Sequence, residues 1–160
     1  MKLMIWLSLV SISIGGCDLL KNKSDGNGNL NATFRLSDTT GRTANTFHSG
    51  ESFIMSFSLI NTTTDTITYY DVVCIPRVNF AILRNDSLLV GSPAGCDNEI
   101  GFRYFKPRDT LQGQWQAPNN QWMGQVILTP GSYLAKVVFP DFSKMKGVNP
   151  VPTIAFSIIK

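Results

Sequence analysis

The sequence predicts an all-β protein, a sandwich of about eight or nine antiparallel strands in one domain. From residue 31 onward apolar and polar residues alternate with a period of two, without a sustained helical period. The 13 glycines and 8 prolines supply frequent turns. A hydrophobic content of 43% with 16% charged residues is typical of a globular chain. An eight-stranded barrel is the alternative, because a strand count does not separate the two architectures.

The clearest strand covers residues 52–61. Large apolar residues alternate with serines there, as in a strand with one buried face. The apolar series is Phe53, Met55, Phe57 and Leu59. Further strands are predicted over 32–36, 66–73, 78–84, 87–90, 101–105, 110–116, 132–139 and 153–159.

Turn residues separate these strands. Residues 61–65 turn the chain after the second strand, and Asn85-Asp86 is typical of a tight hairpin. Pro130-Gly131 predicts a turn because proline presets one dihedral and glycine permits a positive φ. Residues 47–50 are interpreted as a turn, 91–100 and 119–129 as inserted loops, and 141–147 as a single helical turn.

The N-terminus has the order of a secretory signal: one cation, a short apolar run, then small residues. The apolar run from Leu3 to Ile14 is shorter than the roughly 20 residues that a membrane-spanning helix needs. Ile14-Gly15-Gly16-Cys17 resembles the lipobox of bacterial lipoprotein signals. The resemblance implies cleavage before Cys17 and its acylation, with an ordinary signal peptide as the alternative.

Three parts of the chain follow from this interpretation. Residues 1–16 are the lipoprotein signal peptide, 17–30 are the lipidated cysteine with a flexible tether, and 31–160 are the β-sandwich domain. The tether is polar and glycine-rich, so it buries too little surface to offset the entropy of ordering. Two or three acyl chains would anchor the domain stably, at about 0.8 kcal/mol per buried methylene.

Residues 47–139 are similar to the intracellular proteinase inhibitor (BsuPI) family. The likeness is carried by segments 49–53 and 57–62, by Phe80-Ala81-Ile82-Leu83-Arg84-Asn85, and by segment 111–115 with Pro130-Gly131-Ser132-Tyr133. The resemblance implies an immunoglobulin-like antiparallel β-sandwich. It also implies inhibition of a proteinase.

Cys74 and Cys96 are the two cysteines that remain once Cys17 carries lipid. In an oxidising envelope they can pair, and we predict a disulfide between them. Closing a loop of about 23 residues stabilises a domain by roughly 3 kcal/mol in the chain-entropy model. Two buried thiols or a metal pair are the alternatives, although further cysteine or histidine ligands are lacking nearby in the sequence.

No recognisable catalytic or metal motif accompanies the strands, so we predict a non-enzymatic protein without a cofactor. His48 is the only histidine, and it stands in a segment interpreted as a solvent-facing turn without a nucleophile elbow. The acidic residues lack the dense spacing of a calcium loop or an obvious carboxylate pair. They are Asp65, Asp71, Asp86, Asp97, Glu99 and Asp109.

Charge and aromatic residues indicate the kind of partner. The net charge of +3 is scattered along the chain, which argues against nucleic acid. The segment from Gln114 to Met123 places aromatic residues between amides, a composition that recognition surfaces use. Trp115 is predicted to lie in the core, whereas Trp122 and Met123 lie in a predicted loop and are the candidate binding residues.

These observations predict a lipid-anchored protein of the bacterial cell envelope, in the outer membrane if the source is Gram-negative, on an undetermined side. The function we expect first is that the protein presents the sandwich for binding to a protein or a glycan. The alternatives are an inhibitor of an envelope protease and a structural subunit that joins an assembly by strand addition. The membrane is its first partner, through Cys17.

Overall fold

The computed structural model describes residues 30–120, 124–139 and 153–160, and these residues form an all-β fold of several mainly antiparallel sheets. The predicted fold class is confirmed. The strands are β1 (Leu30–Ser37), β2 (Thr46–His48), β3 (Phe53–Asn61), β4 (Ile67–Ile75), β5 (Asn79–Arg84), β6 (Ser87–Gly91), β7 (Gly95–Phe105), β8 (Thr110–Ala117), β9 (Asn119–Asn120), β10 (Gly124–Gln125), β11 (Gly131–Phe139) and β12 (Thr153–Ile159).

The strands form two facing sheets and two smaller pairs. The front sheet has the order β1-β3-β8, and the back sheet has the order β2-β12-β11-β5-β6. Strands β4 and β7 pair only with each other among the described residues and form a two-stranded ribbon, and β9 pairs with β10. All pairings are antiparallel except that of β2 with β12, which is parallel.

The core lies between the front and back sheets and is rich in aromatic rings. Phe47 and Phe53 stack with their centroids 4.4 Å apart, and Phe53 lies 5.1 Å from Phe156. Phe34 of the front sheet stacks 6.0 Å from Phe80 of the back sheet. These contacts join the two sheets, and each buried aromatic residue removes a large apolar area from water.

Strand β3 shows why the sequence forms a sandwich. Phe53, Met55, Phe57 and Leu59 are buried, and the residues between them are partly or fully exposed. The prediction for this strand is confirmed. Next to it on β8, a Cβ added to Gly113 would lie 2.9 Å from Val78 Cγ1 and closer still to Val78 Cβ. Glycine is therefore required where β8 approaches the segment before β5.

The hairpin between β5 and β6 is also confirmed. Asn85 and Asp86 both have positive φ, at 50° and 60°, as a type I′ turn requires. Arg84 and Ser87 are register partners on either side of this turn. The register then shifts between Ile82 and Leu83, so the edge strand β6 contains an irregularity of the kind that blunts sheet edges.

Three segments differ from the sequence prediction. Residues 46–48 form strand β2 rather than the beginning of a turn, because Phe47 is buried and the strand pairs with β12 from the far end of the chain. Residues 95–100, predicted as part of an inserted loop, extend β7, which pairs with β4. The predicted loop 119–129 contains the short strands β9 and β10. Pairing with distant segments decided the first two cases, and local alternation does not report such pairing, whereas β9 and β10 pair with each other.

Several predicted features lie outside the described residues: the signal over 1–16, Cys17, the tether as far as residue 29, Trp122, Met123 and the helical turn over 141–147. Leu30, the last residue of the predicted tether, is buried and begins β1. Within the described segments, no helix has the length and apolar character needed to cross a bilayer.

Candidate binding surface

The ribbon of β4 and β7 contains exposed large side chains that lie outside the core. Its strands pair from Ile67 opposite Phe105 to Ile75 opposite Gly95, with a register shift between Val72 and Cys74. At its base, buried Phe105 belongs to the core, and Ile67 and Tyr69 pack against the core. At the other end, Val78, three residues after the end of β4, is buried in the core. The ribbon is thus joined to the sandwich at both ends.

Two large aromatic side chains on the ribbon are exposed. Phe102 is 54% exposed and Tyr104 is 65% exposed. They lie two residues apart on β7, so both are on the same side of the strand at a spacing of about 7 Å. Thr68, the register partner of Tyr104, is exposed as well. We call Thr68, Phe102 and Tyr104 the aromatic face.

Buried Asn61 connects the ribbon to the sandwich. Its Nδ2 donates hydrogen bonds to the carbonyl oxygens of Phe105, at 2.8 Å, and Asp65, at 2.9 Å. Its Oδ1 accepts hydrogen bonds from the backbone N–H and the hydroxyl of Thr63, at 3.0 and 2.7 Å. The end of β3, the turn that follows and the end of β7 are therefore held by one fully hydrogen-bonded side chain.

The turn between β7 and β8 is fixed by its own contacts and by Asn61. The Asp109 carboxylate accepts a hydrogen bond from the Lys106 backbone N–H at 2.8 Å. Backbone hydrogen bonds join Asn61 N–H to the Asp109 carbonyl and Arg108 N–H to the Asn61 carbonyl, at 3.0 and 2.9 Å. Arg108 has a φ of 68°, in the left-handed region, which closes the turn tightly.

The outer face of the front sheet contrasts with the aromatic face. Short serines on β3 lie between longer residues on β1 and β8, which leaves a shallow groove of about 480 Å³. Two cross-strand rows line it: Thr33, Ser58 and Gln112, then Arg35, Ser56 and Gln114. The groove-lining side chains are polar and include no aromatic ring apart from Phe57, which is buried in the core. This surface is the polar outer face expected of a sandwich sheet.

An ion pair lies at the opposite end of the front sheet, in the loop after β1. The Asp38 carboxylate accepts hydrogen bonds from the Thr40 hydroxyl at 2.6 Å and from Arg42 Nε at 2.8 Å. Backbone N–H groups of Thr40 and Arg42 also donate to it. These hydrogen bonds lower the pKa of Asp38 from 3.8 to about 2, and the bond from the Thr40 hydroxyl has the largest effect.

The predicted cysteine pair occupies one position in the ribbon. Cys74 and Cys96 are direct register partners across β4 and β7. Directly opposed Cα atoms in antiparallel strands are about 4.5–5.5 Å apart, within the range that a disulfide spans. The backbone pairing is therefore compatible with the predicted bond, which stays a prediction.

The other candidate residues are dispersed. Trp115 is buried, as predicted, and its Nε1 donates to the Asn119 carbonyl at 2.7 Å. His48 is exposed in β2 with its Nδ1 2.9 Å from the Lys160 carbonyl. Within the described segments, no group of three histidine, cysteine or acidic residues converges on a metal position. Trp122 and Met123 lie outside the described residues.

The sequence interpretation missed the aromatic face. Phe102 and Tyr104 stand in a predicted strand, where aromatic residues are ordinarily assigned to the core. A usable signal was present: apolar Ile100, Phe102 and Tyr104 alternate with polar or small Gly101 and Arg103, while Phe105 breaks the alternation. Which of the two faces is exposed depends on the pairing of β7 with β4.

No protein-family model matches the chain, and no curated protein matches it. Similar solved structures include a beta-glucosidase from Listeria innocua, with a TM-score of 0.42 and 8% identity over 82% of this chain and 16% of the enzyme. Others are beta-glucosidases from Erythrobacter marinus (0.40, 8%, 82% and 16%) and Kluyveromyces marxianus (0.33, 16%, 81% and 14%). The chain thus spans 16% or less of these enzymes, and TM-scores this low carry no argument about activity.

Proposed function

We propose that the chain is a non-enzymatic lipoprotein of the bacterial cell envelope that presents an immunoglobulin-like sandwich for contact with a protein or glycan. One observation carries the binding role. Phe102 and Tyr104 are 54% and 65% exposed on one side of the ribbon. Aromatic side chains supply large contact areas at low conformational cost, so an exposed aromatic pair marks an interaction surface.

The immunoglobulin-like part of the proposal is supported by two local features. The Tyr133 hydroxyl donates to the Thr129 carbonyl at 2.6 Å, which resembles the tyrosine corner of such sandwiches. The short strand β2 pairs in parallel with β12, and its buried residue Phe47 covers the end of the core. The first feature lies at the Pro130-Gly131 turn, and the second pairs with the last strand.

The lipoprotein part is carried by the sequence ending in Cys17, and intact mass tests it. The native protein is expected to begin at Cys17 with added acyl mass and to partition into detergent. A Cys17→Ser variant is expected to lose the lipid. The same spectrum should show two fewer hydrogens than the fully reduced chain if Cys74 and Cys96 are joined. Retention of residues 1–16, or an unmodified Cys17, would contradict the envelope anchor.

The binding role is tested by photo-cross-linking in the native host. A photoreactive residue at position 68, next to Tyr104 in the register, is expected to give adducts. The paired change Phe102→Ala with Tyr104→Ala is expected to abolish them. A photoreactive residue at Leu88, which is 68% exposed on the distant strand β6, is the matched control and should give none. Adducts of equal yield from both positions would contradict a binding surface on the ribbon.

A further inference from the structure

A small cleft lies where the ribbon meets the beginning of β8, beside the aromatic face. Its polar lining consists of Tyr69, Arg77, Arg103, Tyr104, Asp109 and Thr110. Buried Phe105 and Leu111 complete the lining. The volume is about 280 Å³, at the lower limit of small-ligand sites, which run from about 300 to 1,000 Å³. The cleft therefore suits a single compact unit rather than a long chain.

The two arginines give the cleft an excess of positive charge. Among the side chains that the structure describes, neither Arg77 nor Arg103 forms an ion pair; the described ion pair joins Arg42 to Asp38. A guanidinium group presents several N–H donors in a planar fork that matches a carboxylate. The cleft thus offers two anion-recognition groups that no described carboxylate occupies.

The remaining polar groups of the cleft fit hydroxyl groups. One carboxylate oxygen of Asp109 accepts the Lys106 N–H, and the other has no hydrogen-bond partner among the described residues. The Thr110 hydroxyl can donate and accept. Tyr69, the register partner of Arg103, adds an aromatic ring that offers a flat apolar surface with a polar end. A ligand that satisfies the whole lining needs a carboxylate, hydroxyl groups and a compact ring.

We propose that this cleft binds a hexuronic acid unit at the end of an acidic glycan. The inference rests on the proposed binding function and specifies its partner, because the cleft shares Tyr104 with the aromatic face. An acidic peptide side chain matches the cleft less well as a whole, since its carboxylate can bind the arginines but it supplies no hydroxyl group to Asp109. A sugar acid uses both kinds of group.

Calorimetric titration of the full chain in detergent tests the proposal. The probes are glucuronate, glucose as the uncharged ring, acetate as the anion without a ring, and a short peptide with a free C-terminal carboxylate. Glucuronate is expected to bind at least about tenfold more tightly than the other three probes, because each of them lacks either the carboxylate or the hydroxyl groups. A hydrogen bond to a charged group changes affinity by about tenfold or more. Equal or tighter binding of acetate or the peptide would overturn the sugar assignment.

Variants locate the site. Arg77→Gln and Arg103→Gln are each expected to weaken glucuronate binding about tenfold, with unchanged thermal unfolding. Arg35→Gln is the matched control, since Arg35 is an exposed arginine on the outer face of the front sheet. An equal loss in the Arg35→Gln variant would show binding by net charge and overturn the cleft.

The cross-linking experiment separates this inference from the proposed function. If position 68 gives adducts and glucuronate does not bind, the acidic-sugar inference is wrong and the ribbon remains a binding surface. If glucuronate binds through Arg77 and Arg103 while position 68 gives no adduct, the cleft stands and the aromatic face is wrong.

Discussion

The front sheet and the ribbon are both antiparallel β-structure, yet their exposed faces differ. Outward-facing residues of β3 include Ser56 and Ser58, whereas β7 exposes Phe102 and Tyr104. The front sheet has a second sheet behind it, so its apolar residues have a core to enter and its other face is mainly polar, with Ile60 37% exposed near the end of β3. The ribbon is a separate two-stranded sheet among the described residues. Phe102 and Tyr104 remain more than half exposed there, which is why we assign them to binding.

The largest expected difference between the two regions concerns stability. Phe53→Ala removes a buried ring that contacts Phe47 and Phe156, and we expect it to lower the free energy of unfolding by about 3–5 kcal/mol. Tyr104→Ala removes an exposed ring, and the expected loss is under about 0.5 kcal/mol. Urea unfolding measures both. A loss at Tyr104 as large as that at Phe53 would mean that the ribbon's aromatic residues are structural.

This contrast explains what the sequence could and could not predict. The alternation in β3 and the Asn85-Asp86 turn are local, so the sandwich strands and the hairpin were predicted from adjacent residues. The parallel partner of β2 lies more than a hundred residues away in the chain, at Ser157–Ile159, and the start of β7 depends on β4. Long-range pairing of this kind leaves no periodic signal in the segment concerned.

The candidate site shows the same limit. Arg77, Arg103 and Asp109 are separated in sequence and show no motif spacing. Arg103 and Asp109 come together because Asn61 and the tight turn at Arg108 join the ends of β3 and β7 to the beginning of β8, and Arg77 follows β4, which pairs with β7. Cys74 and Cys96 were paired by counting cysteines, and the ribbon register places them opposite each other. Counting residue types can pair two cysteines, but it cannot predict which eight residues line a cleft.

The joint between the two regions should have an intermediate effect. Asn61→Ala removes a buried amide and leaves the Phe105 and Asp65 carbonyl groups without their side-chain donor, at an expected cost of about 1–3 kcal/mol. Amide hydrogen exchange is expected to accelerate at Thr63 and Phe105 more than in β3. The loss of fixed geometry at the ribbon base should also weaken cross-linking from position 68.

A buried asparagine in the back sheet provides the control for that change. Asn79 Nδ2 donates to the Pro76 carbonyl at 2.9 Å, and its Oδ1 accepts from the Ser92 hydroxyl at 3.3 Å. Asn79→Ala is expected to lower stability to a similar degree and to leave exchange at Phe105 unchanged. If both variants accelerate exchange at Phe105 equally, the ribbon is not a separately held unit, and the comparison between the regions fails.

The smallest expected effect lies in the loop after β1 and depends on pH. The pKa of Asp38 is lowered from 3.8 to about 2, so folding favours the carboxylate. Its contribution to stability is present above pH 3.8 and is lost as the pH falls through about 2. Asp38→Asn should be less stable than the native chain at pH 6, with the difference shrinking toward pH 2. Carboxyl carbon shifts measured by NMR give the pKa directly. The described hydrogen bonds of the Asp38 carboxylate come from Thr40 and Arg42 in the same loop, so amide signals of Arg103 and Phe105 should not follow the Asp38 titration. A shared titration would show that the loop and the ribbon are coupled through the front sheet.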